Sequence, residues 1–243
     1  MRSKLETGKQ LPTEADIRAW VAATRSSESI ESELLGLLAA ARIEYVTHRD
    51  ESRVEGGLAT VQQQAALESR TARIAEWQPA MVPGLVQTAA YTRELLERPD
   101  RPTMTENVDP EAVTTERIRR QDILYQPGRR IEIIAGEAAL RSTPGTITTL
   151  LGQLDRLVSV SDLRTVELGI VPFPMMPVMP LSGFSLHDDV VYIETLTGEQ
   201  QLYEPDEVAV YNKAFELLRA ASLTGPDAVA LIQRIATELR GST

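Results

Sequence analysis

The chain has 243 residues, a formal net charge of -10 and a sequence pI of about 4.9. It contains no cysteine, which excludes a disulfide scaffold, thiolate metal ligands and cysteine catalysis, and its two histidines are too few for a His-rich metal site. No apolar run reaches the roughly 20 residues of a membrane helix, and the N-terminus lacks the apolar segment of a secretory signal. We therefore expect a cytoplasmic protein with no membrane segment, no metal and no other cofactor.

The charge is divided unevenly along the chain. Residues 1–25 contain five basic and three acidic residues, a net charge of +2, so the remainder carries -12. Because an acidic surface repels phosphate, only this N-terminal segment is electrostatically suited to DNA.

The N-terminal third is predicted to be helical. Thr13 is a candidate N-cap for a helix over 13–24, and apolar residues at helical spacing from Ile30 to Tyr45 predict a second, longer helix. Gly56-Gly57 breaks the pattern, and a Gln- and Ala-rich helix is expected over 58–71.

The remaining two thirds alternate between strand and helix patterns. Strands are predicted over 72–78, 130–135, 163–171, 183–187, 189–195 and 200–203. Helices are predicted around Tyr91, from Pro110 to about Tyr125, after a Thr143 cap, and twice near the C-terminus; the stretch 172–180 has four prolines and no regular structure. The fold class is therefore α+β, with a mixed sheet flanked by helices and a helical N-terminal region.

Several segments together resemble one family. They are RIAEWQPAMVPGLVQTAAYTRELL at 73–96, ERIRRQDIL at 116–124, the segment from Glu137 to Arg141, the helix with Gln153-Leu154, and the strand ending in Val171-Pro172. This combination resembles the C-terminal domain of unknown function of actinobacterial Xre-type helix-turn-helix regulators. The resemblance covers about residues 30 to 239.

The first 25 residues resemble the second half of the DNA-binding head of those regulators. Arg2, Ser3 and Lys4 correspond to positions that face a DNA groove, but a complete head packs its recognition helix on earlier helices. We therefore expect no DNA binding without a complete head. A start codon further upstream, a trimmed chain and a naturally headless protein all remain open. The predicted domains are a head remnant (1–25), a helical linker that can mediate a homodimer (26–71) and an α+β effector domain (72–243).

Three side chains are candidates for acid–base or electrostatic catalysis. Glu137 directly follows an apolar strand, where a carboxyl can be partly buried, although a pair with Arg141 is the more ordinary interpretation. His48 lies near a helix end, where it can simply cap the helix. Arg120 can clamp an anion or can belong to a solvated helix face. His187 is expected to be a solvated residue of a hairpin turn.

The stretch 172–180 carries adaptable apolar side chains on an irregular segment. It is either a lid over an apolar pocket or a loop that packs on its own core. The residues predicted to bind a ligand, any of which can instead be core, are Trp77, Met81, Gln87, Tyr91, Gln121, Phe173, Met175, Met176 and Met179.

These features predict a regulator-derived effector domain that binds a small apolar molecule or a small companion protein. The alternative is an enzyme recruited from the same family, a cofactor-independent cyclase or lyase that acts on a linear, polyketide-like natural-product intermediate.

Overall fold

The structure is a computed structural model and describes residues 12–47, 57–98, 109–175, 177–178, 182–195 and 198–241. Its α-helices are α1 (Glu14–Thr24), α2 (Glu28–Arg42), α3 (Gly57–Glu68), α4 (Ala89–Leu96), α5 (Pro110–Arg120), α6 (Glu137–Arg141), α7 (Ile147–Ser161), α8 (Pro205–Ala221) and α9 (Gly225–Gly241). Short 3-10 helices cover Gly84–Val86 and Gln121–Tyr125. The strands are β1 (Ile43–Thr47), β2 (Arg73–Gln78), β3 (Arg130–Gly136), β4 (Val166–Val171), β5 (Phe184–His187), β6 (Val190–Glu194), β7 (Gly198–Leu202) and β8 (Leu223–Thr224).

Within the described residues the strands form one mixed sheet in the order β1-β7-β6-β5-β2-β3-β4-β8. The three strands β2, β3 and β4 run parallel, and the helices between them form the crossovers that parallel strands require. The other strand pairs are antiparallel. The α+β class and the mixed sheet flanked by helices are confirmed.

The alternation of side chains along the strands produces two cores, one on each face of the sheet. On β3, Ile131 and Ile133 pack with α7 and α9 on one face, whereas Ile134 joins a second cluster that contains Phe215 of α8. Helices therefore cover both faces of the parallel part of the sheet.

The helix that the sequence predicts from Ile30 to Tyr45 extends beyond the observed end of α2. α2 ends at Arg42, and Ile43–Thr47 forms the edge strand β1, which pairs with β7 from Ile43 opposite Leu202 to Thr47 opposite Gly198. The segment 26–71 is therefore not helical throughout. Its strand depends on a partner more than 150 residues away in the chain, which local spacing does not reveal.

Two predicted helix caps have different outcomes. Thr13 forms a complete capping box with Asp16 at the start of α1. Thr143, however, does not cap α7: the N-cap is Thr146, whose hydroxyl accepts a hydrogen bond from the Thr149 backbone N–H at 3.2 Å. The carboxylate of Glu94 also accepts from the Thr146 N–H at 2.9 Å, which fixes the helix start at this position.

None of the helices in the described ranges combines the length and the apolar character needed to cross a membrane.

Candidate functional site

A cavity of about 410 Å³ lies between α3, α5 and the antiparallel part of the sheet. Its wall is rich in polar and charged side chains. The lining residues are Gln64, Glu68, Ile74, Glu76, Gln78, Met81, Gly84, Gln87, Leu95, Leu96, Arg98, Arg117, Arg120, Gly183, Phe184, Ser185, His187, Tyr192, Glu194 and Glu199.

The sheet side of the cavity is polar because successive side chains of a strand point to opposite faces of the sheet. On β2, Glu76 and Gln78 alternate with Ala75 and Trp77, which belong to the apolar cluster on the opposite face. The polar side chains form a row that continues onto the next strand, because Glu76 lies opposite Ser185 of β5.

The row extends over the next two strands. Ser185 lies opposite Tyr192 of β6, and Glu194 of β6 lies opposite Glu199 of β7. We refer to Glu76, Ser185, His187, Tyr192 and Glu194 as the sheet wall.

The helical side of the cavity is organised around one buried guanidinium group. Arg120 Nη1 donates a hydrogen bond to Gln64 Oε1 at 2.5 Å, and Arg120 Nε lies 3.2 Å from Glu68 Oε2. Gln64 and Glu68 are four residues apart on α3, so one helix face presents both to the arginine. A Cβ atom at Gly84 would lie 3.1 Å from Arg120 Nη2, so the glycine leaves room for the guanidinium.

The Glu68–Arg120 pair is close but incompletely hydrogen-bonded. Both side chains are buried, yet neither Glu68 Oε2 nor Arg120 Nε has a hydrogen-bond partner within the described residues. The two atoms attract as charges, but the N–H does not point at the oxygen. The same two residues also line a second cavity, of about 360 Å³, between α3 and the end of α5.

Arg129 fixes the end of α3 that carries Glu68. Its Nη1 donates to the backbone carbonyl of Glu68 at 2.8 Å and to that of Thr71, and its Nη2 donates to that of Ser69 at 2.5 Å. Ser69 and Thr71 lie just beyond the last residue of α3, and the Glu68 carbonyl also accepts from the Thr71 N–H at 3.1 Å. The position of the Glu68 backbone is therefore held from the β3 side of the molecule.

Burial shifts the protonation of three groups around the cavity. Burial raises the pKa of Glu68 to about 7, and the Arg120 charge offsets only part of that shift. Burial also raises the pKa of Glu76, against the opposing effects of Arg120, Gln78 and the Gly84 N–H. The pKa of His187 is lowered to about 4, first by burial and then by the Arg120 charge.

His187 is not the solvated turn residue that the sequence predicts. It is the last residue of β5 and only 4% exposed. Its Nε2 lies 3.1 Å from Ser185 Oγ, its ring makes an edge contact with Tyr192, and its Nδ1 has no hydrogen-bond partner in the described part of the chain. The turn begins at Asp188, whose positive φ of 52° and contacts with the Ala72 and Arg73 N–H groups fix the hairpin to β2.

Three of the predicted site residues line this cavity. Arg120 is at its centre, and Met81 is a partly exposed wall residue. Gln87 also lines it, but its amide is committed to the backbone carbonyl of Val82 at 2.7 Å and to the hydroxyl of Thr92 at 3.0 Å.

Glu137 lies elsewhere, at the start of α6. Its Oε1 accepts from Arg141 Nε at 2.8 Å, and its Oε2 accepts from the backbone N–H of Phe173 at 2.8 Å. The pair with Arg141 is the ordinary interpretation that the sequence offered. Glu137 does not line the cavity.

The remaining described candidates do not line the cavity either. Trp77 and Tyr91 belong to different core clusters. Gln121 donates to the Gln87 carbonyl at 2.6 Å and accepts from Arg156. Phe173 and Met175 are exposed. Arg2, Ser3, Lys4, His48, Met176 and Met179 lie outside the described residues.

Sequence reasoning missed the acidic members of the cavity. Glu68 follows from no local pattern, because its partner Arg120 is 52 residues away in the chain. Glu76 has a local signal: in a strand, its side chain must point away from the face that Trp77 occupies. No group of three His, Asp or Glu side chains arranged to hold a metal ion occurs among the described residues.

Residues 61–234 match the family described as "Domain of unknown function (DUF5753)". The chain belongs to this family. The match confirms the predicted resemblance to a domain of unknown function, and the Xre-type, actinobacterial part of that resemblance stays a prediction. No curated protein matches the chain.

Two solved structures are distantly similar. One is TrmBL2, an archaeal chromatin protein whose structure shows a novel mode of DNA binding; identity is 13%, TM-score 0.36, with 87% of this chain and 69% of that chain covered. The other is NucT from Helicobacter pylori, with 8% identity, a TM-score of 0.41, and 75% of this chain and 98% of that chain covered. Neither likeness bears on the function of this chain.

Proposed function

We propose that this DUF5753 chain is an effector domain that binds a small molecule in the cavity around Arg120. The observation that carries the proposal is the set of buried ionisable groups that meet there with incomplete pairing: Glu68, Arg120 and His187. A cavity of about 410 Å³ is in the range of small-molecule sites.

The energetic cost of this arrangement supports a functional role. Leaving a buried polar group without a hydrogen bond costs about 1–3 kcal/mol, and a buried ion pair is often no more stabilising than apolar residues of similar volume. Ionisable groups whose pKa is strongly perturbed by burial and a specific charge partner, and which line a cleft, are candidates for a functional site. A ligand that completes their hydrogen bonds would recover this free energy on binding.

The polar lining changes the kind of ligand that we propose. The sequence favours an apolar molecule bound near Phe173 and Met175, but those side chains are exposed and away from the cavity. We propose a molecule with polar groups that face the sheet wall and an apolar part beside Met81, Leu95 and Leu96.

A thermal-shift screen of fragments tests the proposal. A ligand that binds only the folded state stabilises it by RT ln(1 + L/Kd), where L is the free ligand concentration, so the melting temperature rises with that concentration. We expect hits with the wild-type protein and loss of their shifts in Met81→Trp, whose larger side chain fills the cavity. The matched control is Val210→Trp, because Val210 is exposed on α8 and does not line the cavity. Shifts that survive in Met81→Trp and in a second filling variant, Ser185→Phe, would contradict the proposal.

The enzyme alternative now centres on Glu68 rather than on Glu137. A carboxyl with a pKa of about 7 is suited to donate and accept protons near neutral pH, as an acid–base cyclase or lyase requires. The experiment is incubation with a linear polyketide-like substrate, followed by mass spectrometry. Turnover that is lost in Glu68→Gln and kept in Glu137→Gln supports this alternative. Turnover that is kept in Glu68→Gln removes Glu68 from the mechanism.

The regulatory part of the proposal depends on the proposed domain boundaries. If segment 1–25 belongs to a complete DNA-binding head in a longer protein, ligand binding to the effector domain would shift the population of dimer geometries and so the affinity for DNA. A small companion protein in place of the small molecule is the competing form of this proposal. Size-exclusion chromatography with light scattering checks the dimer directly.

A further inference from the structure

We propose that the sheet wall is a binding site for the protonated amino group of a small organic molecule. This inference rests on the proposed function, because it specifies the ligand class of the same cavity. It is carried by the balance of charge, by a histidine nitrogen that has no hydrogen-bond partner in the described part of the chain and by an aromatic ring.

The charges around the cavity leave a place for a cation at the sheet wall. Arg120 is the buried cation, and it already contacts Glu68 and Gln64. The charge of the same guanidinium group favours the ionised form of Glu76, whereas the charge of the nearby Glu194 disfavours it. Among the described residues that line the cavity, carboxyl groups outnumber guanidinium groups by four (Glu68, Glu76, Glu194 and Glu199) to three (Arg98, Arg117 and Arg120). An ammonium group would supply the missing positive charge.

The other arginines that line the cavity belong to the helical side. Arg117 is on α5, and Arg98 follows α4 and donates to the backbone carbonyl of Pro144 at 3.1 Å. The sheet wall therefore carries the carboxyl groups of Glu76 and Glu194, and the guanidinium groups belong to the helical side of the cavity.

His187 gives evidence that is independent of the carboxyl groups. Its buried Nδ1 has no hydrogen-bond partner among the described residues, and the residue lines the cavity. When Nε2 carries the proton and donates to Ser185 Oγ, Nδ1 is an acceptor for an ammonium N–H. Burial and the Arg120 charge keep the imidazole neutral at physiological pH, so it does not compete with a cationic ligand.

Tyr192 completes the wall with an aromatic ring. It lies on β6 directly opposite Ser185 and two residues before Glu194, and its ring centroid is 4.9 Å from that of His187. Aromatic rings attract ammonium groups through their negative faces. A carboxylate or phosphate ligand group at the same position would instead meet Glu76 and Glu194.

Three probes with the same phenyl ring and four-carbon chain test the inference with the full chain: 4-phenylbutylamine, 4-phenylbutan-1-ol and 4-phenylbutanoate. Dissociation constants are measured by ligand-observed NMR. We expect the amine to bind at least about tenfold more tightly than the alcohol or the acid, a difference of about 1.4 kcal/mol. We expect Glu76→Gln and Glu194→Gln each to reduce amine affinity severalfold. The charge-matched control Glu33→Gln, at an exposed position on α2, should leave it unchanged.

The outcomes separate this inference from the proposed function. Binding of all three probes with similar affinity, abolished by Met81→Trp, would overturn the amine site and leave the cavity as a ligand site. Amine binding that Met81→Trp does not affect would overturn both. Because Glu194 is exposed, Glu194→Gln tests the inference even if Glu76→Gln fails to fold.

Discussion

Two buried glutamates in different regions of the molecule, Glu132 and Glu68, have very different hydrogen-bond partners. Glu132 on β3 is fully buried, and its two carboxylate oxygens each accept from an arginine at 2.7 Å: Arg73 Nε and Arg130 Nη2. Arg219 of α8 adds a third guanidinium at 4.0 Å. Glu68 is almost as buried, but it has one arginine at 3.2 Å and an oxygen without a hydrogen bond in the described chain.

The difference separates a structural charge from a candidate functional one. Around Glu132, Arg73 also donates to Asn212 at 3.0 Å and lies over the Phe215 ring, so the network ties α8 to the sheet. A saturated network of this kind stabilises one packing arrangement. Around Glu68, the two residues that carry the unsatisfied atoms, Glu68 and Arg120, line two cavities. Incomplete pairing, rather than burial alone, therefore distinguishes the candidate site.

Glu132→Ala should give the largest loss of stability. Removing the carboxylate leaves converging guanidinium groups without their anion, and breaking a buried pair in this way typically costs about 3–5 kcal/mol. The free energy of unfolding from urea denaturation checks it. Glu167→Ala is the matched control, because Glu167 lies opposite Glu132 in the register but is only partly buried and lies 3.5 Å from Arg219, and it should cost less than about 1 kcal/mol. Equal losses in the two variants would refute a structural role for the Glu132 network.

Glu137→Gln should cost about 1–3 kcal/mol, because charged hydrogen bonds to Arg141 and to the Phe173 N–H are weakened. The control is Glu238→Gln, which changes the exposed partner of the same Arg141. We expect a loss below about 1 kcal/mol for that control. A stable Glu137→Gln protein with impaired ligand binding would instead place Glu137 in the site.

Glu68→Gln should have a smaller effect on stability, and its effect should depend on pH. Because the folded-state pKa of Glu68 is raised from 4.5 to about 7, the folded protein holds the proton more tightly. The contribution of Glu68 to stability therefore falls as pH rises from about 4.5 to about 7. Glu68→Gln should remove this part of the slope, while Glu76 still contributes a slope of the same sign. Urea denaturation at several pH values measures both, and identical slopes in wild type and variant would contradict it.

His187→Gln should have the opposite pH signature. The folded-state pKa of His187 is lowered from 6.5 to about 4, so its contribution to stability is present above pH 6.5 and is lost as pH falls toward 4. The variant should lose this dependence. Urea denaturation at several pH values measures this dependence. Glu68→Gln is the comparison variant, because its effect on the pH slope of stability has the opposite sign. If the stability of the variant changes between pH 6.5 and pH 4 in the same way as that of the wild type, His187 is not a buried neutral group.

The apolar framework could be predicted from the sequence because its signals are local. The alternation in β3 and β4 and the stripe of α7 each depend on neighbouring residues only. The junction at Arg42 and Ile43 could not be predicted, since the helical spacing continues to Tyr45 and the strand forms only by pairing with β7. Tertiary contacts override the local preference here.

The candidate site was less predictable for the same reason. Arg120 was found because it lies on a polar helix face, but Glu68, Glu76 and His187 meet it only through the packing of α3 and the β2–β5 pairing. Trp77 is among the predicted ligand-binding residues, yet strand alternation places it on the face opposite the cavity. Because side chains along the strand RIAEWQ alternate between the two faces, Glu76 lines the cavity and Trp77 does not.

A crystallographic fragment screen tests the central claim most directly. Crystals of the full chain would be soaked with cationic, neutral and anionic fragments, and bound density would be mapped over the whole surface. The account predicts that hits concentrate in the cavity lined by Glu76, Arg120 and His187, with cationic fragments against the sheet wall. Hits that leave this cavity empty while occupying other surfaces would contradict it.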